Sequence, residues 1–201
     1  MSSSSSENRP EEGVSEVVEK FRILPEVLPA FSQFIRQAAI SRFAYITSIK
    51  NLEVTENENW DDFCYGSSMS VILVAGKDFK LFFKVHFHQK KYQQMSGSNI
   101  LASGVQDVFR EFSNLTAGAI KQALQDLNVV CGISLPNITS GYDELVFSDT
   151  LRSSRIIDCF DLVSPNFKFT ITITLDIGAG EVFEALTDIS LKEHDDDISF
   201  L

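Results

Sequence analysis

The chain has 201 residues, of which 44% are hydrophobic and 22% charged, enough for one domain with a full core or two small ones. Its formal net charge is −11, which repels nucleic acid, and the one dense basic cluster, Lys90-Lys91 near Lys84, is too short to override that. Cys64, Cys131 and Cys159 are odd in number and form no CxxC pair; this argues against a zinc ribbon or redox motif and suits a reducing cytoplasm with thiols buried as small hydrophobes.

Residues 1 to about 14 are Ser-rich and acidic. They bury too little surface to offset their ordering entropy and are expected to be disordered or loosely attached. They carry no apolar segment of a signal peptide, and no apolar run in the chain is long enough to span a membrane. From Val17 to about Ile49, Phe31, Phe34, Ile35, Ala38, Ala39, Phe43 and Ile46 recur at helical spacing. Pro25 and Pro29 place the start of the main helix near Leu28. A short strand is possible at Leu52-Glu53-Val54, and Trp60-Asp61-Asp62 reads as a loop. Ser68–Ala75 and Lys80–His88 read as two strands joined by a hairpin at Gly76-Lys77-Asp78. A short helix is expected over Lys90–Met95.

The longest helix is expected from about Ser98, a plausible cap, to Leu127. Val129–Leu135 is extended and apolar and ends at Pro136. Arg155–Val163 and Lys168–Ile177 are strands joined by a Ser-Pro-Asn turn at 164–166. In the second of these, Phe169, Ile171, Ile173 and Leu175 alternate with threonines, the mark of a sheet with unlike faces. The end of the chain is acidic, with Asp195-Asp196-Asp197 read as a solvated tail. Seventeen phenylalanines against one tryptophan point to a core filled by aromatic packing. No internal repeat is visible. Strands separated by long helices and closing on a hairpin define an α+β fold.

On a wheel of the long helix, Leu101, Val105, Val108, Phe112, Leu115, Ala119 and Ala123 form a core-facing stripe. Asp107, Glu111, Asn114, Gly118 and Lys121 form another, turned away from it. A glycine inside a helix costs about 0.5–1 kcal/mol relative to alanine. It is explained either by packing against the rest of the chain or by room for another surface to approach. Glu111 and Asn114 are neighbours at i and i+3. An amide can orient an attacking water, and a carboxylate can hold a cation of a partner; phosphoryl transfer depends mostly on such positioning. The same pair also fits an ordinary solvated face.

Here the sequence resembles the CheC/CheX/FliY family of chemotaxis phosphatases, the CheX branch most closely. The family signature is Asp or Ser, three residues, Glu, two residues, Asn, then a proline just over twenty residues later. This chain reads Asp107-Val-Phe-Arg-Glu111-Phe-Ser-Asn114, with Pro136 one residue nearer than the usual spacing. Asn114-Leu-Thr-Ala-Gly118 and Ile133-Ser-Leu-Pro136-Asn-Ile-Thr-Ser-Gly141 also resemble family segments. Phe112 is bulkier than the aliphatic residue expected after the Glu.

The resemblance implies a CheC-like fold, a mainly antiparallel sheet with two long helices packed on it. It implies a phosphatase that removes phosphate from the aspartate of a CheY-type response regulator. Glu111 would pair with a lysine of the regulator, and Asn114 would enter its site and place the water. Asp107, Gly118 and Pro136 would support the site or contact the partner. No cofactor is expected in this chain, because the magnesium would belong to the regulator. A single site per chain and a homodimer formed through the sheet are expected, with no nucleic acid, no membrane and a cytoplasmic location. The first helix offers no Glu-x-x-Asn; Ser32–Gln37 is the nearest stretch. The expected division is an extension at 1–15, one domain at 16–183 and an acidic tail at 184–201.

Two further readings share this fold: a non-catalytic adaptor that binds the regulator, and a structural relative of flagellar switch components. His86 and His88, two apart on one strand face, have a spacing able to bind metal, but no third ligand stands nearby in sequence, so no metal is expected. No nucleophile elbow and no phosphate-cradling glycine loop is present.

Overall fold

The computed structural model describes residues 22–57, 68–89, 92, 104–140, 155–165, 167–178, 180–187 and 189. The N-terminal extension, Trp60-Asp61-Asp62, Cys64, most of the expected Lys90–Met95 helix, Ser98, Leu101, Gly141 and Asp195–Asp197 lie outside these residues.

In chain order the elements are β1 (Arg22–Ile23), α1 (Leu24–Val27), α2 (Pro29–Thr47), β2 (Glu53–Glu56), β3 (Ser68–Gly76) and β4 (Phe79–Phe87). They continue with α3 (Val105–Asp126), β5 (Cys131–Ile133), β6 (Asn137–Ser140), β7 (Arg155–Ser164), β8 (Phe167–Ile177) and α4 (Glu181–Thr187). One sheet runs in the order β1-β7-β8-β4-β3-β5, with β2 also on β7 and β6 also on β3. All pairings are antiparallel except the short β1–β7 ladder. The fold is therefore α+β, a mainly antiparallel sheet carrying two long helices.

Pairing register divides the sheet into two unlike faces. Ile72, Phe83, Ile173 and Asp158 form one cross-strand row, and Ser70, Val85, Ile171 and Phe160 the next. These face α2 and α3, and their apolar members are buried. Phenylalanines join the layers: Phe43 of α2 meets Phe109 and Phe112 of α3 and Phe169 of β8 at ring separations of 6.0, 5.2 and 4.8 Å. Phe87 stacks on Phe109 at 3.9 Å. The bulk of Phe112, unusual for the family signature, fills this cluster, edge-on to Phe43 and Phe83. On the opposite face, Thr170 and Thr172 are also buried. Thr170 donates to Asp161 at 2.7 Å, and the Thr172 hydroxyl lies 2.9 Å from His86 Nε2.

Three expectations need correction. The long helix begins at Val105, with Gly104 (φ 78°) as its N-cap, so it starts seven residues after Ser98; a positive φ there suits glycine and would strain any side chain. Its core face is rotated from the expected stripe. Phe109, Ser113, Thr116, Ala117, Ile120 and Leu124 are buried with Val105, Val108 and Phe112, whereas Leu115, Ala119 and Ala123 are half-buried. The expected stripe followed one set of apolar residues; the buried face is centred to one side of it, on Phe109, Ala117, Ile120 and Leu124, and takes in Ser113 and Thr116 as well. Finally, the domain continues past 183. Leu186 of α4 and Ile189 are 1% and 4% exposed and belong to the core.

The architecture also repeats internally, which the sequence did not reveal. Each half runs helix, edge segment, hairpin: α2, β2, β3–β4, then α3, β5–β6, β7–β8. The halves exchange edges, because β2 pairs with β7 and β6 with β3. The two hairpins have two-residue turns and superpose in register, so that Ser70 corresponds to Asp158. Lys84 and Thr172, equivalent by the same correspondence, pair across the centre of the sheet. Such a repeat needs matching burial patterns and turn lengths, not matching identities.

Candidate functional site

The site is built on α3. Its buried positions centre on one side, and Asp107, Glu111, Asn114, Gly118 and Lys121 centre roughly 160° away at 100° per residue. Asp107 and Glu111 are exposed, and Asn114, Gly118 and Lys121 half-buried. Asp107 lies in the first turn, where a carboxylate suits the helix dipole. It also accepts a 2.8 Å hydrogen bond from Arg110. Glu111, Asn114 and Lys121 are the remaining polar groups of the stripe. Among the described residues neither the Glu111 nor the Asn114 side chain has a hydrogen-bonding or ionic partner. At i and i+3 their Cβ atoms are about 5–6 Å apart.

Gly118 resolves a choice that the sequence left open. A Cβ at that position would meet nothing within 4 Å. Packing within the described chain therefore does not explain the glycine, and the space above it is open.

The neighbour of Asn114 fixes its height over the sheet. Ser113 turns inward, donates to the Phe109 carbonyl at 2.9 Å, and lies 2.8 Å hydroxyl-to-hydroxyl from Ser70 of β3. Ser70 pairs with Ile138 of β6 at the sheet edge. Pro136 is two residues before Ile138, so the chain returns along the edge at the level of the Asn114 turn. Between β5 and β6 the edge segment bulges. Ile133 opposes Val74 and Asn137 opposes Val71, which leaves three residues, 134–136, against two. Ser134 closes the bulge: its N–H donates to the Leu73 carbonyl at 2.9 Å, and its hydroxyl accepts from the Leu73 N–H at 3.0 Å. Pro136, with no N–H to donate, is tolerated at such an irregular edge position. Ser113, Ser70 and Ser134 thus position the site. The sequence carried no signal for them, since each acts through a partner remote along the chain.

The internal repeat accounts for a single motif. Ser32 of α2 donates to Asp158 at 3.0 Å, and Asp158 is the counterpart of Ser70. Phe31-Ser32-Gln33 therefore matches Phe112-Ser113-Asn114, with Phe31 and Phe112 both buried. In that frame Ala30 stands where α3 has Glu111, and Gln33 where it has Asn114. Ala30 also falls in the first turn of α2, which begins at Pro29. The second face has an amide and no carboxylate. Arg36, one turn further, is turned inward to Asp158 at 2.9 Å, to Glu56, and over the Phe160 ring at 4.9 Å.

Among the described residues no three His, Cys, Asp or Glu side chains cluster to hold a metal ion. His86 is buried against Thr172 rather than presented with His88. Cys131 and Cys159 are free thiols; burial pushes the Cys131 thiol up, and the charge of Lys121 draws it back. Among the described residues no helix is long and apolar enough to cross a membrane.

The architecture is the CheC-like fold. A CheC-like superfamily protein from Shewanella sp. PV-4 has 16% identity and a TM-score of 0.55, with 73% of this chain and 97% of that one covered. The chemotaxis protein CheX from Vibrio vulnificus is similar at 17% identity and TM-score 0.55, over 72% and 98%. CheX from Borrelia burgdorferi, whose structure is a CheX–CheY–BeF3–Mg2+ complex, is similar at 12% identity and TM-score 0.51, over 74% and 98%. No protein-family profile matches this chain. No curated protein is similar to it in sequence.

Proposed function

We propose that this protein is a CheX-like phosphatase that hydrolyses the phospho-aspartate of a CheY-type response regulator, in chemotaxis or related signalling. The observation that carries the reading is the outward Glu111–Asn114 pair, unpartnered within the described chain and followed one turn later by open space at Gly118. The shared fold with CheX proteins supports it. Glu111 holds a lysine of the regulator. Asn114 enters the regulator's site and orients a water in line with the acyl phosphate. The water oxygen bonds to phosphorus as the bond to the aspartate oxygen breaks, and the carboxylate and inorganic phosphate are released. The magnesium is the regulator's, and this chain supplies no cofactor.

The test is phosphate release from an acyl-phosphorylated regulator with magnesium. Asn114→Ala should slow turnover by about a hundredfold, the scale of losing water placement. Glu111→Gln should act mainly through KM, by about tenfold, as a charge-assisted contact to the partner is weakened. Equal, slow release by wild type and Asn114→Ala would refute the enzyme reading, and retained binding would then favour the adaptor.

We also infer a homodimer through the sheet face turned away from the helices. Leu73, Phe82, Thr174 and Ile157 form one half-buried cross-strand row there, and among the described residues no helix lies over it. Sedimentation of wild type should give a dimer and of Phe82→Glu a monomer; a monomeric wild type refutes it.

A further inference from the structure

Asn114 stands between a cation and an anion. Arg110 lies about 40° to one side of its azimuth on the helix and Glu111 about 60° to the other. Both are one turn earlier, at spacings where Cβ atoms are about 5–6 Å apart. Helical side chains lean toward the N-terminus, so the Asn114 amide leans back over the turn that carries Arg110 and Glu111. Between Asp107 and Ile120, Arg110 is the only Lys or Arg of the chain.

The Arg110 guanidinium is lightly held. The Arg110 and Asp107 side chains are 44% and 59% exposed, and Arg110 Nη1 donates to Asp107 Oδ1 at 2.8 Å. Among the described residues that is the one hydrogen bond or ion pair of the Arg110 side chain, which leaves most of its N–H donors over. An ion pair this exposed contributes little to the fold, so releasing it costs little.

The proposed reaction sets a charge problem at this turn. The chain has a net charge of −11, and Asp107 and Glu111 put carboxylates beside Asn114. The acyl phosphate is itself anionic, and in the loose transition state of phosphoryl transfer its charge spreads over the three equatorial oxygens. Glu111 is answered by the regulator's lysine. Asn114 is neutral and addresses the water, on the line of attack. The arginine side chain is several bonds longer than that of asparagine. From a Cβ one turn away it reaches past the amide, toward the equatorial oxygens.

We propose that Arg110 is a further catalytic residue, whose guanidinium leaves Asp107 on docking and binds the equatorial oxygens of the phosphoryl group. This rests on the phosphatase reading above. A planar fork of donors suits two such oxygens at once. The guanidinium keeps its proton throughout; it makes no covalent bond, and the bonds formed and broken are those of the hydrolysis. Asp107 holds the guanidinium beside the site until the regulator arrives.

The test compares wild type, Arg110→Ala, Arg110→Lys and Asn114→Ala on a regulator charged with acetyl phosphate and magnesium. Arg110→Ala should lower kcat about tenfold or more, with KM within about threefold and the melting temperature close to wild type. Arg110→Lys, which keeps the charge and loses the fork, should recover part of kcat. Millimolar guanidinium chloride should restore part of the kcat of Arg110→Ala and none of that of Asn114→Ala. With wild type active, an unchanged kcat in Arg110→Ala, or a raised KM alone, overturns the role of Arg110 and leaves the phosphatase reading standing. A fall in kcat that neither lysine nor guanidinium recovers marks a structural role and overturns it too. If wild type releases no phosphate, the phosphatase reading fails separately, and binding of the regulator with and without beryllofluoride decides. A preference of wild type for the loaded form that Arg110→Ala loses supports the phosphoryl contact; a preference that Arg110→Ala keeps, or none in wild type, overturns it.

Discussion

Gly118→Ala separates what the helix wants at that position from what a partner would need. A Cβ there meets nothing within 4 Å, and the backbone is not among those with positive φ. The folded chain therefore gains helix propensity without strain, about 0.5–1 kcal/mol. In a chain of this size that raises the melting temperature by about 1–4 °C. If a partner surface approaches the bare helix, the same methyl overpacks the interface by about 1–3 kcal/mol, which weakens apparent affinity by about 5- to 140-fold. The assay pairs thermal melting with phosphate release over a range of regulator concentrations. The expected result is a higher melting temperature together with a higher KM. A lower melting temperature would show that the fold itself needs the glycine. A higher melting temperature with unchanged KM would refute close approach, and Gly118→Leu, which fills the same space further, should then also leave KM unchanged.

Phe112→Ala should cost about 3–5 kcal/mol in urea unfolding, because the ring is fully buried between Phe43 and Phe83; a loss under about 1 kcal/mol would contradict that packing. Arg36→Ala should cost about 3–5 kcal/mol, because it leaves the buried Asp158 carboxylate with Ser32 as its remaining donor; near-neutrality would show that the pair is dispensable. Burial pushes the Asp158 carboxyl above its ordinary range, while Arg36 and Ser32 pull it back. A carboxyl raised in the folded state holds its proton more readily there than when unfolded. Its contribution to stability therefore grows as pH falls through the folded value toward the unfolded one. Wild type should gain stability relative to Asp158→Asn between neutral pH and about pH 4, read from urea midpoints; the opposite trend would reverse the assigned sign.

Local pattern alone placed most of the elements. Alternation in Phe169–Leu175, the turn residues after Gly76 and Ser164, and the helical spacing from Phe31 to Phe43 each depend on neighbours a few residues away. The outward stripe of α3 was legible for the same reason, since a helix fixes azimuth by residue count. Tertiary structure decided what depends on contacts across the chain. It turned Ser113 inward onto Ser70 and so set the height of Asn114, and it centred the buried face of α3 on Phe109, Ser113, Thr116 and Ile120, to one side of the expected stripe. It drew Leu186 and Ile189 into the core. It exchanged edge strands between two halves whose sequences share little more than Phe31-Ser32 and Phe112-Ser113. The sequence alone could show that Glu111, Asn114 and Gly118 share one line. Only the folded chain could show that the space beyond Gly118 is open, because emptiness is a property of everything that packs around a residue.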